Sequence, residues 1–114
     1  MQAQILKHLI SETPRVLVVD GSRLVRKLIA DVLKRQLPQV QVQVLSCASI
    51  AEAQAVLEQG DVDLVTTSLA LPDGDGLALA RLVRQQAGRR YVPVIVVSGD
   101  AQRSEEHTSE LQSH

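Results

Sequence analysis

The chain has 114 residues, of which 45% are hydrophobic and 22% charged, and its formal net charge is -1. This size and mixture fit one soluble globular domain, and the near-neutral charge gives no bias toward nucleic acid or an anionic membrane surface. A single cysteine excludes an internal disulfide and no apolar run is long enough to span a bilayer, so we expect a cytoplasmic protein.

The predicted elements begin with a helical segment, residues 1–13. Its apolar residues recur at helical spacing: Ile5, Leu6, Leu9 and Ile10. Two interpretations stay open, a dimerising or signalling helix and a short helix packed on the domain.

A strand is predicted over residues 15–20, followed by an amphipathic helix that ends near Pro38. Basic residues gather on this helix and favour a solvated face: Arg23, Arg26, Lys27, Lys34 and Arg35.

The remaining elements continue the alternation of strands and helices. Further strands are predicted over residues 40–47, 63–68 and 92–98. One helix should begin at a capping motif, Ser49 to Glu52, and stop at Gly60; another should run over residues 76–87 and end at Gly88. The strands are apolar and β-branched, which is typical of parallel strands covered by helices on both faces. The order therefore predicts an α/β fold, a doubly wound parallel sheet.

Functional residues of such a sheet belong at the carboxyl ends of its strands. Here those ends are Asp20, Ser68 and Ser98. The turn after the first strand lacks the G-x-G-x-x-G pattern of dinucleotide folds, and the chain has no G-x-x-x-x-G-K-[ST] pattern. We therefore do not expect nucleotide binding by either of these loops.

Three blocks of the chain resemble the receiver domain of two-component response regulators: VLVVDGSRLVRKLI, DLVTTSLALPDGDGLALARLVR and VPVIVVSGDA. They cover residues 14–102 in the order and at the spacing of that family. The resemblance implies a flavodoxin-like topology whose last strand and last two helices would lie beyond residue 102. Residues 103–114 resemble the in-frame translation of a common sequencing adapter, so we expect a truncated receiver followed by a non-native tail.

The third-strand block identifies the position of the family's phosphorylated aspartate. The family places a proline four residues and a glycine eight residues beyond that aspartate, and Pro72 and Gly76 match them. The resemblance therefore puts Ser68 at the phospho-acceptor position, so that the acceptor is substituted.

Two further positions follow from the same resemblance. Asp20 matches the first of the two acids that hold Mg²⁺ in the family, and Gly21 occupies the place of the second. Ser98 matches the hydroxyl that contacts the phosphoryl group, and the family's lysine would lie beyond residue 102. Structural roles in capping and turns are the favoured alternative for both Asp20 and Ser98.

These substitutions bear directly on the chemistry. An aspartate is ionised at neutral pH, whereas a serine hydroxyl needs a nearby base to become a nucleophile. Mg²⁺ is usually anchored by one or two carboxylates plus phosphate oxygens, so Asp20 alone should form a weak, incomplete metal site. Asp73 and Asp75 could act as substitute acceptors, but aspartates in a glycine-rich turn more often accept backbone hydrogen bonds.

We therefore expect a degenerate receiver in phosphorelay signalling that works by protein contact, is not phosphorylated, is not an enzyme and needs no cofactor. Its partner would be another protein, an adjacent output domain or a second copy of the chain, and neither nucleic acid nor membrane. Two alternatives stay open. One is a conventional phosphoryl-accepting receiver that uses another residue. The other is the N-terminal regulatory part of a longer signalling enzyme, such as a diguanylate cyclase or a histidine kinase.

Overall fold

The computed structural model describes residues 13–88 and 90–97. Its main sheet is parallel and has four strands in the spatial order β2-β1-β3-β6. These strands are β1 (Arg15–Val19), β2 (Gln43–Cys47), β3 (Leu64–Thr67) and β6 (Val94–Val96). A small antiparallel hairpin follows β3 and consists of β4 (Ala70–Leu71) and β5 (Gly74–Asp75). The helices are α1 (Arg23–Gln36), α2 (Ile50–Gln59) and α3 (Gly76–Ala87).

This architecture confirms the predicted α/β fold with a parallel sheet. The predicted strands are slightly longer than the observed ones, chiefly at β2, which begins at Gln43. No helix in the described part of the chain is long and apolar enough to cross a membrane. Ser98, residues 1–12 of the predicted N-terminal segment and the predicted tail, residues 103–114, lie outside the described residues.

The main core lies between the sheet and the helices α2 and α3. Leu17 and Val65 of the sheet belong to one buried cluster with Leu79 and Val83 of α3. Burying an aliphatic side chain of this size stabilises the fold by about 1.5–3 kcal/mol. Side chains alternate along a strand, so the buried Val18 faces the opposite side, where α1 packs against β1.

Polar side chains cap the start of each described helix. Ser22 Oγ accepts from Val25 N at the start of α1, and Asp75 Oδ1 accepts from Ala78 N at the start of α3. At α2, Ser49 Oγ accepts from the backbone N–H of the fourth residue of the predicted capping motif. That glutamate's side chain accepts from the backbone N–H of residue 48, one residue before the position that a capping box would use.

Helix α1 differs from the expectation of a buried apolar face. None of its residues is buried, and the side chains of Leu24, Leu28 and Val32 are 65%, 53% and 46% exposed. Its apolar periodicity predicted the helix correctly, but an apolar face is buried only where another element covers it. Among the described residues, α1 packs on β1 with the neighbouring flank of its surface, which includes the half-buried Val25 and Ile29.

Gly76 lies where the loop after β3 returns to the start of α3. Its backbone N–H donates to the carbonyl oxygen of Leu69 at 2.8 Å, and the residue is buried. A Cβ atom at position 76 would overlap the backbone oxygen of Ser68. Steric exclusion of a Cβ atom therefore explains why the third-strand block has a glycine at position 76.

The replacement Gly76→Ala should lower the free energy of unfolding by about 1–3 kcal/mol, because backbone and not a flexible side chain must move to admit the methyl group. The matched control is Gly21→Ala, whose Cβ would make ordinary contact with Pro72, at 3.6 Å from Cδ. We expect that control to stay within about 0.5 kcal/mol of the parent. Urea unfolding followed by circular dichroism measures both, and equal midpoints for the two variants would contradict the steric account.

Candidate functional site

The candidate site lies at the carboxyl edge of the sheet, where β1, β2 and β3 end side by side. The backbone N–H of Ser68 donates to the carbonyl oxygen of Val19 at 2.9 Å, and the backbone N–H of Asp20 donates to that of Cys47 at 3.0 Å. These two bonds extend the parallel ladder by one residue past each strand. They bring Asp20 and Ser68 to neighbouring positions on one edge, as the sequence predicts for strand ends.

Asp20 supplies the buried carboxylate of this edge. The residue is 9% exposed, and its Oδ1 accepts from the backbone N–H of Ser22 at 2.8 Å. Its carbonyl oxygen accepts from Arg26 Nη1 at 2.6 Å, while Arg26 Nε donates to Ser46 Oγ at 2.7 Å. Asp20 therefore holds the turn from β1 into α1, while Ser22 and not Asp20 caps the helix.

Gly21 lies next to Asp20, against the loop that carries Pro72. A Cβ atom here would lie 3.6 Å from Pro72 Cδ, an ordinary van der Waals distance. The described glycines with a positive φ are Gly74 and Gly88, so the backbone at Gly21 is open to residues with side chains. Neither packing nor backbone geometry explains the glycine at this position, which the family resemblance assigns to the second acid.

Ser68 is half-buried, and its hydroxyl is already engaged. Ser68 Oγ donates to the carbonyl oxygen of Ala70 at 3.0 Å, and its own carbonyl oxygen accepts from Thr67 Oγ1 at 2.9 Å. A carbonyl oxygen is not a base that could remove the hydroxyl proton at neutral pH. This bond ties the side chain into the loop that leads to the β4–β5 hairpin.

The residues of this edge do not fit the Mg²⁺ site that the family resemblance implies. Asp20 supplies one carboxylate, Gly21 has no side chain, and Ser68 contributes a hydroxyl that donates to a backbone carbonyl. Within the described ranges there is no group of three or more His, Cys, Asp or Glu side chains that could hold a metal ion. A single carboxylate is at the lower limit of what anchors Mg²⁺.

The two aspartates of the hairpin both accept backbone hydrogen bonds. Asp73 Oδ1 and Oδ2 accept from the backbone N–H groups of Ile50 and Ala51 at 2.8 and 3.0 Å, at the start of α2. These bonds lower the pKa of Asp73 below its usual value. Asp75 caps α3 in the same manner. No sequence pattern links Asp73 to a helix that begins 23 residues earlier, so this contact was not predicted.

A second polar cluster lies at the opposite, amino edge of the sheet and was also missed by the sequence analysis. Asp63 Oδ2 accepts from the backbone N–H of Arg15 at 2.8 Å, and its Oδ1 accepts from Arg90 Nη2 at 2.5 Å. Arg90 Nη1 also donates to the carbonyl oxygen of Val62 at 2.8 Å. The cluster joins the starts of β1 and β3 to the segment before β6, so its role is structural.

Comparison with known proteins gives a family match over most of the chain. A family model described as the response regulator receiver domain matches residues 16–112. A protein-glutamate methylesterase/protein-glutamine glutaminase of Agrobacterium fabrum is 39% identical over 88 residues, which is 77% of this chain and 24% of the relative. The two-component response regulator ORR8 of Oryza sativa subsp. indica is 29% identical over 89 residues, which is 77% of this chain and 70% of that protein.

The fold also resembles solved receiver structures. A CheY-like response regulator receiver domain from Methylobacillus flagellatus matches with a TM-score of 0.66 and 23% identity, over 76% of this chain and 70% of that one. At this level of identity the likeness concerns the fold. The chain spans about a quarter of the length of the methylesterase relative, so it corresponds to one part of that longer protein.

The replacement Asp73→Asn should remove a pH-dependent part of the stability. The pKa of Asp73 is lowered in the folded state, so its contribution is present above the usual aspartate pKa of about 3.9 and is lost as the pH falls through the lowered value. The variant should therefore be less stable than the parent near neutral pH, and the difference should shrink in acid. Urea unfolding at several pH values measures this. The control is Asp61→Asn, at an exposed aspartate before β3, and a loss that does not change with pH would contradict the account.

Proposed function

This chain belongs to the response regulator receiver domain family, and we propose that it is a degenerate receiver, a signalling module that works by protein contact without being phosphorylated. Membership of the family accounts for the fold and for the position of the site. The observation that carries the proposal is the hydroxyl of Ser68, which stands at the acceptor position and donates its proton to the carbonyl oxygen of Ala70.

The chemistry of phosphoryl transfer supports this reading of Ser68. A carboxylate attacks phosphorus as an anion without losing a proton first, whereas a hydroxyl must be deprotonated during the attack. At Ser68 the hydroxyl proton points to an amide oxygen, which cannot accept it as a base. The described hydrogen bond of Ser68 Oγ therefore does not supply a base that would activate the hydroxyl at neutral pH.

The metal side of the site supports the same proposal. Phosphoryl transfer relies on a cation to neutralise charge that develops on the phosphoryl oxygens. With Asp20 as the single carboxylate beside Gly21 and Ser68, we propose that Mg²⁺ binds this edge weakly or not at all. The nucleophile and the metal ligand are thus replaced together, which favours loss of the reaction over a change of acceptor.

The conventional alternative, a receiver phosphorylated on another residue, is less well supported. Asp73 and Asp75 are the acids of the loop after β3, and both use their carboxylates to cap helices. Phosphorylation of Asp75 would disturb the cap of α3, which costs about 0.5–2 kcal/mol, and phosphorylation of Asp73 would disturb its bonds to the backbone N–H groups of Ile50 and Ala51. The geometry therefore favours structural roles for both.

We extend the proposal to the protein as a whole. The domain itself would catalyse no reaction, need no cofactor and act in the cytoplasm through a protein partner, an adjacent output domain or a second copy of the chain. A second proposal is that the chain is the N-terminal regulatory part of a longer signalling enzyme. It is favoured by the methylesterase relative, of which the matched region is 24%. Catalysis would then reside in the remainder of such a protein.

The proposal predicts that the chain does not respond to a phosphoryl mimic. Titration with beryllium trifluoride in the presence of Mg²⁺ should leave the backbone amide signals of Asp20, Gly21 and Ser68 unchanged, because the site lacks the ligands to hold either group. Two-dimensional NMR measures these shifts. Saturable shifts at this edge would contradict the proposal.

The matched control restores the acids. Gly21 tolerates a side chain beside Pro72, so the double variant Gly21→Asp with Ser68→Asp should fold and carry three carboxylates at one edge. We expect this variant to show saturable Mg²⁺-dependent amide shifts under the conditions in which the parent chain shows none. An identical response of the two proteins would mean that these substitutions do not decide metal binding.

A further inference from the structure

The strand β2 forms one edge of the sheet. The described sheet ends at β2 on one side and at β6 on the other. In the strand order 2-1-3-4-5 of flavodoxin-like sheets, the strand expected beyond residue 102 would pair with β6. The β2 edge therefore remains an edge of the sheet when that strand is added.

Alternate residues of β2 direct their backbone hydrogen-bonding groups away from the sheet. The N–H of Gln43 donates to the carbonyl oxygen of Pro14 at 2.9 Å, so Gln43 and every second residue after it face β1. The N–H and C=O groups of Val44 and Ser46 consequently point to the outer side of the strand. A docking segment can pair with these groups as a further strand of the sheet.

The β2 edge lacks the features that commonly protect sheet edges from pairing, which are charged side chains, proline and bulges. From Gln36 to Ala51 the sequence contains no Asp, Glu, Lys, Arg or His. The strand itself reads QVLSC, without proline, and its register with β1 is regular over all five residues. The edge is therefore open to pairing with another strand.

A row of basic side chains on α1 lies on the same side as this edge. Arg26 Nε donates to Ser46 Oγ at 2.7 Å, which shows the side of α1 that faces β2. Three exposed basic side chains continue this side of the helix toward solvent: Arg23, Lys27 and Lys34. Each lies about 60–100° around the helix axis from Arg26, in the direction away from the half-buried Val25 and Ile29. We call these three residues the basic flank.

The length of the basic flank matches the length of the edge. Helix α1 connects the carboxyl end of β1 to the amino end of β2, so it runs back along the strands. From Arg23 to Lys34 the helix extends about 17 Å, and the five residues of β2 extend about 17 Å as well. Side chains on one face of a docked strand recur at every second residue. Acidic side chains at that spacing would lie along the basic flank.

We propose that the β2 edge binds an extended segment of a partner protein, which adds a strand to the sheet and carries acidic side chains at alternate positions. The backbone of this segment pairs with Val44 and Ser46, and its acids face the basic flank. The inference rests on the proposed function in requiring a protein partner. It does not depend on the chemistry of Ser68, so the two can fail separately.

Charge favours such a partner over a second copy of the chain. Two copies related by a two-fold axis that join β2 to β2 pair antiparallel, and each face of one sheet continues into the same face of the other. Their α1 helices would then lie side by side, with one basic flank beside the other, and would repel each other. Asp31 offsets one charge of each flank, since it lies 3.9 Å from Lys27.

The chain's own terminal segments do not have the required pattern. Outside the described ranges, neither residues 1–12 nor residues 98–114 contain acids at three successive alternate positions. An acidic strand along the whole basic flank must therefore come from another protein.

Amide hydrogen exchange of the full chain, followed by two-dimensional NMR, tests whether the edge is open. The amides of Val44 and Ser46 should exchange fast, whereas that of Leu45, which points to β1, should be protected. Slow exchange of Val44 and Ser46 in the dilute monomer would mean that the chain covers its own edge. Slow exchange at high protein concentration alone would mean that a second copy covers it. Either result would overturn the proposal.

An acidic strand peptide tests the occupant. The probe is the acetylated and amidated peptide TETETET, which should cause saturable shifts at the amides of Val44 and Ser46. One control, TKTKTKT, has the opposite charge. The other is the probe N-methylated at its third and fourth residues, which keeps the charge but removes the central N–H donors. Both controls should bind at least about tenfold more weakly, because one loses the charge pairs and the other the strand pairing.

Charge reversal on α1 tests the role of the basic flank. Arg23→Glu with Lys27→Glu should reverse the preference, so that TKTKTKT binds more tightly than TETETET. The matched control is Arg35→Glu with Arg81→Glu, which changes the net charge equally on the opposite side of α1 and on α3. This control should keep the preference of the parent chain.

The outcomes decide the proposal. Saturable binding of TETETET at the β2 edge, with a preference that the flank variant reverses and the control variant keeps, supports it. The absence of saturable shifts at Val44 and Ser46 would overturn it. Equal binding of TETETET and TKTKTKT, or the same change of preference in both variants, would overturn it as well.

Discussion

The backbone of the loop after β3 touches the start of α3 at Gly76, and most of the site's geometry depends on this contact. Because no Cβ intervenes, the helix start lies directly against the carbonyl group of Ser68. The intervening residues must then turn tightly, which they do as the β4–β5 hairpin. That turn lays Pro72 against Gly21 and brings the carboxylate of Asp73 to the start of α2. One close approach thus links β1, β3, α2 and α3 at a single edge.

On the proposal made above, this edge keeps the scaffold of a receiver without its phosphoryl-transfer chemistry. The residues that shape the backbone are present: Gly76 permits the close approach, and Pro72 and Asp73 fix the hairpin. At two of the positions that the family resemblance assigns to acids, this chain has Ser68 and Gly21. Asp20 is retained, and its bonds to the turn before α1 give it a structural role that needs no metal. The residues needed for packing are separate from those needed for phosphoryl transfer, and at this edge the residues needed for packing are present.

Much of the fold could be predicted from the sequence because its signals are local. The β-branched runs specify strands, Ser49 specifies the start of α2, and Gly88 specifies the end of α3 with a φ of 64°. Contacts between distant residues could not be predicted in this way. The bonds from Asp73 to α2 and from Arg26 to Ser46 depend on tertiary proximity that no spacing reveals. The exposure of Leu28 is a third example, because periodicity shows which face of a helix is apolar but not what covers it.

The central claim is that Ser68 marks a receiver that is not phosphorylated. The most direct test is the intact mass of the full chain after incubation with acetyl phosphate and Mg²⁺, with a phosphorylatable receiver treated in parallel. The account predicts that the mass of this chain does not change while the parallel sample gains a phosphoryl group. A gain of one phosphoryl group per chain would contradict it. Fragmentation would then show whether the group is carried by Ser68, Asp73 or Asp75.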